Sequence, residues 1–594
     1  MPPRPAREAG APAAWRPRTN PWVIAISVML ATFMEVLDTS VANVALPHIA
    51  GSLSATTDEA TWVLTSYLVS NAIVLPATGW LSSVFGRKRF LLSCIAVFTL
   101  ASLVAGLAPT LGILILARVV QGAGGGALQP ISQAILLESF VPEMRGTAMA
   151  VFGLGVVVAP IIGPTLGGYL TDQYSWRWVF YINLPVGILA MLMLQAFVDD
   201  PPYLATSRPT RIDYAGFGLL ALWLGTLQVM LDKGQEADWF AAPWIRWFAV
   251  ISALAMIGFI AWEFSTRQPI VNLRVLRDRN FAVGTSLMTV VGVVLYGTIA
   301  LVPLFLQELM GYTALLSGLA VSPRGLGALA AMAVMGRLVR KLDNRWLIAG
   351  GFAALAVATY LLGAINLEIG TASIVWPNAL SGLATGFIFV PLTTMAMGTL
   401  RNEQIGTATG IFNLMRNIGG SVGISAVATM LARGAQTHQA LMVGDLSPTH
   451  RAFGEALAQL RQALTPHVGP PAAARMAYGL MYQTLLQQAT LWAYVDNFRL
   501  LALLCLLCVP LVLLFRRVRL TRIIHERTVI NPGLHGTGQS WSEKRPGGSS
   551  TGHLSRLHRD GCGVEGPQGC LIRPEPPITR ASVTPALFAG FIRE

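Results

Sequence analysis

Three ionisable residues stand inside apolar runs, where charge is costly. Asp38 lies deep in the run 22–46, Glu35 three residues before it, and Arg118 in the run 111–137. Such a group at membrane depth costs about 2.5–3.5 kcal/mol on insertion scales, so each needs a reason. Residues three apart share a helix face. Two carboxylates that close together do not both ionise cheaply, so one of them is suited to carry a proton. Arg118 is the counter-charge. The chemistry this suggests is proton exchange without bond-making, with Asp38 taking and releasing the proton and Arg118 sensing its charge. A fixed structural ion pair is the competing reading, and Glu35 stays open between the two.

Further polar residues interrupt the apolar runs. Arg416, flanked by Asn413 and Asn417, stands in NLMRNIGGSVG, and Arg324 stands in SPRGLG near a helix end. Asn43, Tyr67 and Gln121 are candidate lining residues of a substrate cavity, as are Asn413 and Arg416. Met34, Phe389 and Phe412 offer apolar contact, although at helical spacing such residues more often pack. No GxxxxGK[ST] phosphate loop, zinc-type histidine cluster or nucleophile elbow is present, so neither ATP drive nor an enzyme is expected. No cofactor or metal is expected. Cys505 and Cys508 lie in an apolar run without a second pair or a histidine.

The elements that hold these groups follow from composition. Of 594 residues, 54% are hydrophobic and only 12% charged, about half the charge of soluble domains. A bilayer resolves that excess of apolar surface. The net charge of +13 is read as basic loops rather than nucleic-acid binding. Runs long enough to cross a bilayer fall near 22–46, 60–81, 90–108, 111–137, 146–170, 177–198, 212–231, 244–264, 281–306, 313–338, 346–365, 372–399, 405–430 and 489–515. Alternate loops carry Arg87, Lys88 and Arg89, then Arg145, Arg208 and Arg211, and further on Arg337, Arg340 and Lys341. The intervening short loops are poor in Lys and Arg. Basic loops stay on the cytoplasmic side, so both termini are expected inside, with the first span uncleaved.

The expected organisation is an all-α membrane protein. It comprises a cytoplasmic arm (1–21), an N-terminal six-helix bundle (22–198) and a linker with two extra spans (199–280). A C-terminal six-helix bundle (281–515) and a cytoplasmic tail (516–594), expected to be disordered, complete the chain. The C-terminal bundle includes an outward segment, 431–488, in which RAFGEALAQLRQAL reads as part of an amphipathic hairpin. GWLSSVFGRKR at 79–89 and GRLVRKLDNR at 336–345 are related turns, which points to two pseudo-symmetric halves.

These motifs resemble the major facilitator superfamily, in particular its fourteen-span drug:proton antiporters of the EmrB/QacA type. LDTSVANVALP (37–47), LARVVQGAGGG (116–126), GVVVAPIIGPTLGG (155–168) and SWRWVFYINLPVG (175–187) carry the resemblance. LQVMLDKGQEADWF and QELMGYTALLSGLA narrow it to EmrB-like export proteins. The resemblance covers roughly residues 20–515. It implies the major facilitator fold, a central cavity and alternating access. It supports Asp38 and Arg118 as the coupling pair but not Glu35. It marks Gly155, Pro160, Gly163, Pro164, Gly167 and Gly168 as an antiporter motif, whose small residues and prolines allow close, bent packing against the other half. It marks Gly79, Gly86, Arg87, Lys88 and Arg89 as a cytoplasmic gate. Ser83 stands where the family pattern is acidic, which puts that gate's charge interaction in doubt.

The expected function is therefore proton-driven multidrug efflux of amphipathic or hydrophobic toxic compounds across the cell inner membrane. EmrB-like members pair with a periplasmic membrane fusion (EmrA-like) adaptor and an outer-membrane channel, so those partners are implied alongside drug-like substrates, protons and the lipid bilayer. Nucleic acid is not. The alternatives are export of a specific metabolite or siderophore-like compound, an uncoupled facilitator, or, in a different class, a membrane receptor or scaffold.

Overall fold

The structure, a computed structural model, describes residues 17–141, 144–200, 213–266, 269–339, 341–370, 372–444, 446 and 451–516. The N-terminal arm up to residue 16 and the tail from 517 lie outside the described residues, as do 201–212, which include Arg208 and Arg211.

Fourteen helical segments are long and apolar enough to cross a membrane. We label them α1 (Pro21–Ser52), α2 (Glu59–Phe85), α3 (Arg87–Leu107), α4 (Leu111–Ser139), α5 (Arg145–Gln173), α6 (Trp178–Phe197), α7 (Tyr214–Lys233), α8 (Pro243–Ser265), α9 (Arg279–Leu309), α10 (Leu316–Leu338), α11 (Asn344–Leu362), α12 (Ala372–Met397), α13 (Gln404–Val443) and, last, α15 (Pro470–Leu514). An amphipathic helix, α14 (Arg451–Val468), lies between the last two. The chain is thus a multi-pass membrane protein with the expected number of spans. Several starts carry a side-chain cap. Asn20 accepts from Trp22 N at 3.0 Å ahead of Pro21, Thr56 and Glu59 form a reciprocal capping box, and Asp278 accepts from Phe281 N at 2.9 Å.

The two halves repeat one packing pattern. In the first, α1 packs on α5, α2 on α4, α3 on both α4 and α6, and α1 on α6. In the second, α9 packs on α13, α10 on α12, α11 on both α12 and α15, and α9 on α15. Adding eight to each span's ordinal number in the first list yields the second, because α15 is the fourteenth span. This is the major facilitator architecture of two pseudo-symmetric bundles. The extra spans α7 and α8 pack on each other, and α7 also touches α2 and α13, one from each half.

The halves meet mainly at the end carrying the RKR turn, here called the basic end. Thr147 Oγ1 donates to Gly336 O at 2.9 Å, tying α5 to α10. A Cβ on Gly79 would stand 2.6 Å from Thr407 Cα, so α2 lies backbone to backbone on α13. One continuous apolar core includes residues of both halves here, among them Ile135, Met149, Met332 and Phe412. Towards the opposite end the first half has a core of its own, built from Leu37, Val41, Ala45, Ile49 and Leu114 with Phe180. Near that end the extra spans bridge the halves. Asp232 accepts from Thr65 of α2, Gln228 Oε1 accepts from Ser421 Oγ at 2.9 Å, and Trp239 Nε1 donates to Thr429 Oγ1 at 2.9 Å.

The segment 431–488, expected to face outward, is not a separate loop. α13 continues unbroken to Val443, α15 begins at Pro470, and α14 packs on α15 through Phe453, Leu457, Ala477 and Met481. Both spans extend past the apolar length read from the sequence because helix hydrogen bonding continues into polar residues, whereas hydropathy marks only the buried stretch.

Candidate functional site

Asp38 sits mid-helix on α1, 1% exposed, and Arg118, 0% exposed, reaches it from α4. Arg118 Nη1 donates to Asp38 Oδ2 at 2.6 Å. The other carboxylate oxygen, Oδ1, accepts from Gln121 Nε2 at 2.9 Å and from Asn183 Nδ2 of α6 at 2.7 Å. Asn183 and Gln121 both also reach Ser102 Oγ, at 2.9 and 3.3 Å, and that hydroxyl donates to Phe180 O. Arg118 is further placed by Nε donating to Val63 O at 3.0 Å and by the Tyr67 ring 4.2 Å beneath its guanidinium. Its Nη2 has no hydrogen-bond partner among the described residues. The carboxylate is therefore held by an arginine and two amides in a buried site, where Coulomb terms are weakly screened.

Glycines make this approach possible. A Cβ on Gly122 would strike Tyr67 O, one on Gly126 would strike Asn71 O, and one on Gly125 would stand 2.6 Å from Tyr67 Oη. The GAGGG run thus lets α4 lie directly on α2, which brings Arg118 and Tyr67 together.

Glu35 is 8% exposed and does not join the Asp38 cluster. It accepts instead from Asn71 Nδ2 at 3.1 Å. A second polar layer crosses between the halves: Asn413 Nδ2 donates to Gln133 Oε1 at 2.9 Å, and Arg416 Nη2 donates to Gln129 Oε1. Asn43 is exposed and its amide bonds back to Thr39 O, apart from both layers. Arg324 donates to Thr298 Oγ1 at 3.0 Å.

The glycines of the 155–168 motif face α1 of their own half rather than the other half, which corrects the expected packing. A Cβ on Gly155 would meet Met29, one on Gly163 would meet Ser40, one on Gly167 would stand 3.1 Å from Val41 Cγ1, and one on Gly168 would be 4.0 Å from Val44. Pro160 is exposed, and Pro164 continues the same helix. Contact with the other half is made nearer the start of α5, by Gly146, Thr147 and Gly153. The reason is helical phase: Gly153 and Gly155, two residues apart, point to nearly opposite sides of α5, and the motif's small residues lie on the α1 side.

At the basic end, Gly86 has φ +82°, and Asp200, just past α6, occupies the space beside it. Asp200 Oδ1 accepts from Lys88 N at 2.8 Å and so caps α3, and Lys88 Nζ donates to Gln195 O at 2.8 Å. Arg87 and Glu138 of α4 form an ion pair with both side chains buried. Arg89 is exposed. Ser83 bonds back to Trp80 O, and acidic contacts to the turn come from Glu138 and Asp200 instead.

Asn183, Ser102, Asn71, Gln129, Gln133 and Glu138 belong to these networks although the sequence reading did not select them. Asn183 stands in the YINLPVG motif, and a lone amide in an apolar run was the available signal. Among the described residues no group of three or more His, Cys, Asp or Glu is placed to hold a metal.

Residues 28–424 match the sequence profile of the Major Facilitator Superfamily. The chain belongs to that superfamily. It is 39% identical over 430 residues to the multidrug export protein EmrB of Escherichia coli K12, covering 72% of this chain and 83% of that one. It is 36% identical over 454 residues to the fatty acid resistance protein FarB of Neisseria gonorrhoeae, covering 76% and 87%. The expected resemblance to EmrB-like proteins is therefore found. Among solved structures, the human organic anion transporter MFSD10 superposes with a TM-score of 0.52 at 14% identity, over 82% of this chain and all of that one. The proton:xylose symporter XylE superposes with a TM-score of 0.50 at 14% identity, over 81% and 94%. Those likenesses establish the fold, and the superfamily is one of membrane transporters rather than enzymes.

Proposed function

We propose that this protein is a proton-driven antiporter that exports amphipathic or hydrophobic toxic compounds across the cell inner membrane. The observation that carries the reading is the Asp38–Arg118 pair, buried and clamped by Gln121 and Asn183 inside one bundle. A carboxylate so placed is neutral when protonated and leaves Arg118 as an unbalanced cation. The two protonation states therefore favour different arrangements of α1 and α4. EmrB's name refers to multidrug export and FarB's to fatty acid resistance, which supports amphipathic cargo.

The basic loops put the basic end and both termini in the cytoplasm. With that end sealed by Gly79 on Thr407 and by Thr147 on Gly336, the inner side of the transport path is closed in this conformation. Gly79, Gly86, Arg87, Lys88 and Arg89 act as the inner gate, and the 155–168 motif holds α5 against α1 to keep the proton path narrow. Glu35, next to the seam between halves, is a second proton site. α13, α14 and α15 extend towards the periplasm, where an EmrA-like adaptor leading to an outer-membrane channel would dock. The membrane potential supplies about 2.3 kcal/mol per charge per 100 mV, enough to support uphill export.

The test uses everted vesicles from efflux-deficient cells expressing the protein. Proton-linked uptake of an amphipathic substrate under an imposed pH gradient is expected. Absence of both substrate-induced proton movement and gradient-driven uptake would refute the reading.

A further inference from the structure

We propose that Arg416 anchors the head group of a single-chain amphipathic carboxylate at the junction of the two halves. This rests on the export reading above and narrows its substrate class.

Arg416 is 5% exposed, on α13. It lies one to two turns beyond Gly410, whose absent Cβ lets α13 approach Leu75 O to within 3.1 Å of that Cβ position. Arg416 thus stands next to the layer that seals the basic end. Its Nη2 donates to Gln129, but its Nε has no hydrogen-bond partner among the described residues. Among the described residues no carboxylate lies within ion-pair distance of it, whereas Arg87 has Glu138 and Arg118 has Asp38. Glu35 acts on it only at longer range.

A buried guanidinium that serves packing alone is expected to be neutralised, as those of Arg87 and Arg118 are, because an unpaired buried charge is strongly unfavourable; Arg324, buried and likewise without an ion pair among the described residues, donates to Thr298 within the second half. Arginine presents five donors in a planar fork that matches a carboxylate in two parallel bonds. On the facing α4, Gln133 Nε2 also lacks a partner among the described residues, although its Oε1 holds Asn413. Two unused donors, one from each half, therefore belong to a single seam. A carboxylate arriving there would satisfy both and bridge α4 to α13. The separation of tasks is chemical: Asp38 and Arg118 form a closed pair in the first half, while Arg416 has charge to spare between the halves.

The experiment measures binding of dodecanoate, dodecanamide and dodecyltrimethylammonium to the purified full-length protein in nanodiscs. Wild type is expected to prefer dodecanoate over dodecanamide by about tenfold or more, the scale of hydrogen bonds to a charged group. Arg416→Gln should abolish that preference, bringing dodecanoate to the same affinity as dodecanamide. Arg416→Lys, which keeps charge but not the fork, should weaken dodecanoate selectively. Equal affinity of wild type for the acid and the amide overturns the proposal. So does equal weakening of both probes by Arg416→Gln, which marks a packing role. If Arg416→Gln does not fold, undiminished dodecanoate preference in Arg416→Lys overturns it. Should wild-type vesicles show no proton-linked uptake while the carboxylate preference persists, the antiport reading fails and the anion site stands.

Discussion

Arg118 Nη1 and Asp38 Oδ2 lie 2.6 Å apart, with Arg118 fully buried and Asp38 nearly so. They come from helices eighty residues apart in sequence, and each is the other's compensating charge. Removing either leaves the remaining one costly.

Asp38→Asn preserves the shape of the site and its amide contacts but holds no exchangeable proton. Uphill export by everted vesicles should be lost while the protein still inserts normally, as judged by membrane yield. Unchanged active export would remove Asp38 from the mechanism. Arg118→Gln strands the carboxylate, and breaking a buried pair costs about 3–5 kcal/mol. A lower melting temperature of the detergent-solubilised protein checks this.

The Arg87–Glu138 pair ties α3 to α4 at the basic end with both side chains buried. Arg87→Ala or Glu138→Ala alone should destabilise by about 3–5 kcal/mol. The double variant removes both charges and should cost less than the sum of the two. A thermal-stability cycle over the four proteins measures that coupling, and strict additivity would deny the pair.

Gly79 faces the backbone of Thr407 at 2.6–2.7 Å from where a Cβ would be. Gly79→Val should therefore hold α2 away from α13 and prevent the basic end from sealing. Transport should fall close to zero with normal insertion. Maleimide labelling of a cysteine placed at Ala408, now buried, should rise; unchanged labelling would argue that the seal tolerates the side chain.

Gly86 adopts φ +82° and ψ 149°, a region open essentially to glycine alone. Asp200 Oδ2 also lies 2.7 Å from the Cβ position. Gly86→Ala should destabilise by about 1–3 kcal/mol, read as a lower melting temperature, and should disturb the Asp200 cap on Lys88. Asp200→Ala alone should lose about 1 kcal/mol, the usual contribution of such a cap.

The sequence by itself determined the membrane environment, the number of spans and the pairing of halves. These are encoded by local quantities: run length, loop charge and recurring turns such as GWLSSVFGRKR and GRLVRKLDNR. It also singled out Asp38 and Arg118, because charge in an apolar run is conspicuous wherever it falls. The partners of those charges were hidden. Asn183 and Ser102 look ordinary in their own helices and acquire a role only when α3, α4 and α6 pack around α1, as Glu138 does only when α4 brings it to Arg87 of α3. Helical phase was equally out of reach: the glycines at 155, 163 and 167 signal close packing, but only the fold shows that α1 is what they approach. The same holds for Arg416, whose sequence neighbours say it is polar, and whose lack of a paired carboxylate among the described residues is a fact of tertiary arrangement. Composition and periodicity act along the chain, whereas charge compensation and close approach are settled between helices distant in sequence.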